Sequence, residues 1–182
     1  MIYEFYGDLI TYAKNGTFDI IGHGCNCFNT MGAGIAKQIA INFPENEVID
    51  KKTEYGDKNK LGTVQIHMYK VRDRNWRQGF SKDLAVANMY TQYEYYSKSK
   101  KVCVDYEAIE KCLVSLIDIC KENNWSTIGI PKIGAGLAGG DWNKIYSIID
   151  KHFSNNKQIS IVIVNYKAGH DGRMLHKSKP RI

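Results

Sequence analysis

Residues 22–37 read GHGCNCFNTMGAGIAK: the end of an apolar run, a polar turn, then a helix entered through closely spaced glycines. Glycine is favoured where backbone must approach a ligand or turn through φ > 0, because no Cβ stands in the way. A helix starting at such a loop directs its free N–H groups and the positive end of its dipole at whatever the loop holds, usually an anion. His23, Asn26 and Asn29 add three polar groups able to bond a sugar or a phosphate. Residues 130–142, IPKIGAGLAGGDW, repeat the design of apolar strand, glycine loop and helix start. One such loop is as easily a tight turn. Two in one small chain predict a site that clamps a diphosphate from both sides.

Working outward, residues 2–6 read as a short strand ended by Gly7-Asp8, and residues 18–23 as a more buried strand of a parallel sheet. The first glycine loop leads into a helix with Ile35, Ala36, Ile39, Ala40 and Phe43 on one face, closed at Pro44. Residues 45–60 read as a polar helix and loop. Residues 62–69 and 83–91 read as strands, joined through Arg72, Arg74, Trp76 and Arg77 by a hairpin or exposed loop. Residues 92–102, QYEYYSKSKKV, form a tyrosine-rich loop of the kind that lies over binding sites. Asp105 caps a helix through Lys121 whose buried stripe is Ile109, Cys112, Leu113, Leu116, Ile117 and Cys120. Residues 126–130 and 159–164 are the remaining strands. Between them a helix follows Asp141, with Trp142, Ile145, Ile149 and His152 on one face. Strands alternating with helices predict an α/β fold with a mixed sheet between helix layers.

At 182 residues the chain is expected to form one domain. Its 43% hydrophobic and 24% charged content are ordinary for a globular protein. No apolar stretch approaches the roughly 20 residues of a membrane span, and the N-terminus has no signal-peptide pattern. Cys25 and Cys27 form C-x-C without a second pair, so the five cysteines read as free thiols of a reducing, cytoplasmic protein without structural metal. The net charge of +6 divides unevenly: Lys167, Arg173, Lys177, Lys179 and Arg181 against Asp171 give the last sixteen residues +4, leaving +2 for the rest. The body, residues 1–166, is nearly neutral, and residues 167–182 are a basic tail. Short basic tails are more often solvated than readers of bases, so nucleic acid is not the expected primary partner. Neither glycine loop is a Walker sequence, since no Gly-Lys-Ser/Thr follows, and Gly32-Ala33-Gly34 lacks the third glycine of the dinucleotide fingerprint.

Three places together, Gly7-Asp8-Leu9-Ile10, residues 22–37 and residues 130–142, resemble the macro domain family, which binds ADP-ribose, over nearly the whole chain to about Tyr166. The resemblance is greatest to the branch holding ADP-ribose 1''-phosphate phosphatases and glutamate-directed ADP-ribose hydrolases, a branch with members in bacteria and tailed phages. It implies a three-layer α/β/α domain with a mixed central sheet, ADP-ribose or a derivative as ligand, no cofactor, and a monomer in the cytoplasm (the host's, if viral). By position, Asp8 would accept from the adenine amino group with the Leu9 backbone beside it, and Asn26 would hold the distal ribose. Gly32, Ala33, Gly34 and Ile35 would cradle one phosphate and Gly134, Ala135, Gly136 and Leu137 the other. Asn165 and Tyr166 would border the adenine or its ribose. His23 stands where many members have asparagine: an imidazole there serves as general base, general acid or nucleophile, or equally as a structural hydrogen-bonder. Asp141 would polarise a water or a ribose hydroxyl, or simply cap the helix at Trp142. Gln92 occupies the place of the lysine nucleophile of the glutamate-directed hydrolases, and a neutral amide forms no Schiff base.

The expected activity is therefore metal-free removal of phosphate from ADP-ribose 1''-phosphate. The alternatives are a module that binds ADP-ribose without chemistry, and a hydrolase releasing ADP-ribose from modified protein or nucleic acid.

Overall fold

The computed structural model describes residues 1–72, 81–95, 102–166 and 174–175. In chain order they form β1 (Ile2–Gly7), α1 (Leu9–Lys14), β2 (Ile20–Asn26), α2 (Gly34–Asn42), α3 (Pro44–Lys51), a 3-10 turn (Lys58–Lys60), β3 (Val64–Arg72), β4 (Ser81–Gln92), α4 (Tyr106–Glu122), β5 (Thr127–Ile130), α5 (Trp142–Phe153), β6 (Ser160–Tyr166) and β7 (Met174–Leu175). One sheet runs β3-β4-β2-β5-β6-β1-β7. Its five inner strands are parallel, while β3 and β7 add antiparallel edges. This is the mixed sheet between helix layers that the alternating pattern predicts.

Each inner strand must be apolar on both faces, because helices cover both. Along β6, Ile161 and Ile163 pack with α4 and α5 residues such as Leu113, Leu116, Ile145 and Ile149. The intervening Val162 and Val164 join Leu9, Ile10 and Ala13 of α1 and Ile39 of α2 on the opposite face. β4 is buried without interruption from Leu84 to Thr91. The α4 stripe is buried as its spacing predicts, from Ala108 to Cys120, behind Asp105, whose carboxylate accepts from Ala108 N–H at 2.9 Å.

The structure departs from the sequence reading in three places. β2 does not end at His23: parallel pairing with β4 carries it to Asn26. Gly22 and Gly24 are thus strand residues, and a Cβ there would lie 2.6 Å from Met89 Sδ and 2.8 Å from Thr91 Oγ1. They let neighbouring side chains close over the strand. Residues 9–14 form an unanticipated helix, capped by Asp8, whose carboxylate accepts from Ile10 N–H at 3.0 Å. The basic tail is not wholly outside the fold, because the backbone of residues 174–175 pairs with Glu4 and Phe5 as β7. The rest of the tail and residues 73–80 of the β3–β4 connection lie outside the described residues. No helix among the described residues is long and apolar enough to cross a membrane.

Asp19, just before β2, ties three strands together. Its carboxylate accepts from Ser126 N–H (2.9 Å), Thr127 N–H (2.9 Å) and Thr127 Oγ1 (2.7 Å), and meets Lys82 Nζ at 2.7 Å. Burial opposes its ionisation, but Lys82 and the Ser126 and Thr127 bonds together hold its pKa below the ordinary value. An unfolded aspartate titrates near about 3.9. The carboxylate therefore stabilises the fold above that pH, and the contribution is lost as pH falls through the lower folded value. Asp19→Asn should cost about 1–3 kcal/mol at neutral pH and flatten the loss of stability below about pH 4, read from urea unfolding of both proteins.

Candidate functional site

Parallel strands leave the sheet at the same edge, and β2 and β5 are neighbours, so the loops that follow them meet. Between them lies a cavity of about 510 Å³, lined by Gly32–Ile35 and Ala36 on one side and Gly134, Gly136, Leu137 and Ala138 on the other. Asn26, Thr30, Gln92, Tyr95 and Lys132 also line it. A second cavity, also about 510 Å³, is lined by Asp8, Leu9, Gln38 and Tyr166 and shares Gly34, Ile35 and Pro131 with the first. The shared residues make one trough along the strand ends, the usual place for a ligand in an open α/β sheet.

Unpaired backbone donors line its middle. Ala33 precedes α2 in extended conformation and supplies no side-chain cap. Among the described residues the N–H groups of Gly34, Ile35 and Ala36 have no hydrogen-bond partner. The second loop folds on itself through Gly140 N–H to Gly134 O (2.8 Å) and Gly139 N–H to Gly136 O (3.0 Å), and leaves the N–H groups of Gly134, Gly136 and Leu137 unpaired among the described residues. Among the described residues no aspartate or glutamate lines this cavity. Donors from two loops facing one space, without a carboxylate to oppose them, suit an anion.

The glycines divide by function. Gly134 has φ +70°, and a Cβ would lie 2.8 Å from Val104; at Gly140 it would lie 2.6 Å from Val104. Both are required by packing. At Gly32 and Gly136 a Cβ would meet nothing within 4 Å. Ala135 does not line the cavity and packs against the core instead.

The side chains expected at the ends fare differently. Asp8 lines the second cavity while capping α1, its carboxylate also accepting from Thr11 Oγ1 at 2.9 Å. Tyr166 lines the same cavity and is 78% exposed. Asn165, its neighbour, points to the opposite face and donates to Glu4 Oε2 at 3.2 Å, so it does not border the trough. Asn26 lines the first cavity with its amide already fixed: Oδ1 accepts from Phe28 N–H (2.9 Å) and Thr30 Oγ1 (3.1 Å), and Nδ2 donates to Thr30 O (2.9 Å). One amide proton remains for a ligand. Gln92 lines the same end and donates to Glu94 O at 2.9 Å.

Two expected catalytic groups are elsewhere. His23 is fully buried and lines neither cavity. Its Nε2 lies 2.8 Å from Asn88 Oδ1, which also accepts from Asn46 Nδ2 at 3.0 Å, so Nε2 carries the proton. Tyr69 OH donates to Asn46 Oδ1 and completes the network. Because β2 continues past it, residue 23 is mid-strand and its ring enters the layer beneath α3. Asp141 is exposed, lines neither cavity, and caps α5 by accepting from Asn143 N–H at 2.9 Å. Asn29 likewise turns away from the cavity, to Thr53 and Lys60. Among the described residues no group of three or more His, Cys, Asp or Glu side chains could hold a metal ion.

Thr30 and Lys132 line the cavity although neither was singled out by sequence; each lies inside a glycine-loop segment, which was the available signal. Lys132 Nζ sits 5.3 Å from the centroid of Trp142. Tyr95 places the start of the tyrosine-rich segment at the site, and residues 96–101 lie outside the described residues.

The Macro domain family model matches residues 91–149. An uncharacterized 17.5 kDa protein of the tk-vs intergenic region of Enterobacteria phage T4 is 35% identical over 164 residues, covering 88% of this chain and 94% of that protein. The chain belongs to the macro domain family. Two further relatives carry the names of enzymes. An ADP-ribose 1''-phosphate phosphatase of Debaryomyces hansenii is 28% identical over 183 residues, covering 91% of this chain and all 100% of that protein. A DNA ADP-ribosyl glycohydrolase of Mycobacterium tuberculosis is 28% identical over 138 residues, covering 76% of this chain and only 36% of that protein.

Burial lowers the His23 pKa to about 4, and the bonds to Asn88 and to backbone at Gly24 only partly oppose it. In the unfolded macro domain the imidazole takes up a proton near about pH 6.5. Between those values the unfolded chain binds a proton that the folded chain refuses, so stability should fall by about 3 kcal/mol as pH drops through the window. Denaturant titrations from pH 7 to about 4 should show this slope in the wild type and its loss in His23→Gln.

Proposed function

We propose that this macro domain binds ADP-ribose lengthwise in the trough and hydrolyses a phosphate ester at C1'' of the distal ribose. The adenine lies between Asp8 and Tyr166, the diphosphate on the N–H groups of Gly34–Ala36 and of Gly134, Gly136 and Leu137, and the distal ribose at Asn26 and Gln92. The observation that carries this reading is the pair of unpaired donor rows lining one cavity that opens into a second bearing a carboxylate. A diphosphate needs the first, and an exocyclic amine, which offers only donors, needs the second. Residues 1–166 then act as the binding domain, and residues 167–182 add a basic segment.

The chemistry is addition of water to the terminal phosphorus with cleavage of the bond to the C1'' oxygen, releasing inorganic phosphate and ADP-ribose. Preorganised N–H groups stabilise charge on the phosphoryl oxygens without reorganising during the reaction. The Asn26 amide proton holds the ribose against them. The amides and hydroxyl of Asn26, Gln92 and Thr30 do not accept a proton at neutral pH, so the proton of the attacking water passes to a non-bridging phosphate oxygen of the substrate and from there to the departing C1'' oxygen, which leaves as the ADP-ribose hydroxyl. His23 and Asp141 take no part. The full-length phosphatase relative supports the phosphate ester as substrate. The glycohydrolase relative favours a second reading, an ADP-ribosyl bond to nucleic acid cleaved at the same ribose.

Phosphate release from ADP-ribose 1''-phosphate should be measured beside release of ADP-ribose from modified DNA and modified protein. Turnover of the first alone supports the proposal; turnover of the second or third alone replaces it. Tight binding of ADP-ribose with no turnover of any reduces the protein to a binding module. The open space at Gly136 supplies a control for the ligand's position. Gly136→Val should leave the melting temperature nearly unchanged yet weaken ADP-ribose at least about tenfold by calorimetry, whereas Gly134→Val should destabilise the fold itself.

A further inference from the structure

Lys60 is the one buried lysine among the described residues, 7% exposed at the end of the 3-10 turn. Taking an ammonium out of water costs several kcal/mol unless it is bonded on all sides. Its Nζ donates to Asn29 Oδ1 and to Thr53 Oγ1 (2.8 Å), and stands 5.3 Å from the centroid of the Tyr90 ring. The Tyr90 hydroxyl donates to the buried Asp50 at 2.7 Å. Lys60 lines neither cavity of the trough.

What the ammonium holds is a strained turn. Asn29 has φ +52°, a left-handed conformation that asparagine tolerates better than most residues but still adopts at a cost. Two bonds keep it there: from Lys60, and from its own Nδ2 to Thr53 O at 2.9 Å, while the Thr53 hydroxyl accepts from Lys60 and donates to Asp50 O at 2.7 Å. With Asn29 so turned, Thr30 comes back over Asn26, where its carbonyl and hydroxyl occupy one proton and one lone pair of the Asn26 amide. Phe28 N–H takes the other lone pair. The remaining amide proton is thereby aimed by a chain of contacts that begins at Lys60.

We propose that Lys60 is a positioning residue for Asn26, acting through Asn29 to orient the amide that meets the distal ribose. The inference rests on the ADP-ribose reading above. Lys60 never touches the ligand. Its partners Asn29 and Thr53 serve the same end.

The test exploits a ligand that lacks the distal ribose. ADP and ADP-ribose are titrated calorimetrically into the wild type, Lys60→Met, Asn26→Ala and the double variant, with melting temperatures recorded for each. Methionine keeps an apolar stem of similar length and removes the ammonium. The expected result is unchanged ADP affinity in Lys60→Met, ADP-ribose weakened about tenfold, and a double variant no weaker than Asn26→Ala alone. Equal losses for both ligands, no loss for either, or additive losses in the double variant would overturn it. Should Lys60→Met fail to fold, Thr53→Val removes one arm of the same latch and must show the same ligand-selective loss, smaller in size; its absence overturns the proposal equally. A wild type that binds ADP but not ADP-ribose, or neither, sinks the underlying ADP-ribose reading, an outcome visible before any variant is compared.

Discussion

The parallel pairing of β2 with β4 on one side and β5 on the other is the constraint from which the rest follows. Strands that run the same way end at the same edge, so the segments leaving β2 and β5 are brought side by side although far apart in sequence. Each continues into a helix, and a helix leaving that edge must present its N-terminus there first. The unpaired donors of the two loops, with the positive end of α2 among them, converge as a result of topology, before any side chain is chosen. The antiparallel edges β3 and β7 contribute to the sheet and nothing to this convergence.

The same constraint decides what the buried polar groups do. Extending β2 to Asn26 puts His23 opposite Asn88 within the sheet, where Asn46 of α3 closes the network. A ring whose surroundings exclude water gains nothing by ionising there, so its neutral form is the stable partner for an asparagine oxygen. Buried polar networks that are fully bonded specify one arrangement of layers, here α3 against β2 and β4. A second network, around Lys60 and Asp50, holds the turn after β2 on the same face. The catalytic appearance of the first loop in sequence thus reflects residues that build its foundation.

Much of the fold was legible because helical and strand periodicities are written in apolar residues. The α4 stripe, the α2 face and the alternation in β6 need no knowledge of neighbours. The glycine loops were legible for the same reason, as local departures from those periods. What was not legible depended on register. Nothing local marks residue 23 as mid-strand; that follows from pairing with Ala85–Gln92, a contact between distant segments. Gly22 and Gly24 resemble the loop glycines until Met89 and Thr91 are seen against them. Asn165 and Tyr166 are adjacent, so a strand sends them to opposite faces, and only the pairing of β6 with β1 tells which one meets the trough. The helix at residues 9–14 was missed although Asp8 is a favourable cap, because six residues carry too little periodicity to read.

A site made chiefly of backbone has a particular relation to its sequence. Gly134 and Gly140 cannot change without disturbing Val104, whereas at Gly32 and Gly136 a Cβ would meet nothing within 4 Å and would face the cavity. An anion site of this kind depends on chain direction, on helix starts and on the absence of side chains, features that many sequences can supply. The groups that would distinguish one reaction from another are few and sit at one end: Asn26, Gln92, Thr30 and Lys132. None belongs to either hydrophobic core, although Asn26 and Thr30 also hold the turn after β2 together. That separation explains how relatives of one fold carry the names of a phosphatase and a glycohydrolase. It also explains why the anion-holding middle of the trough follows more directly from the chain than the chemistry at its end.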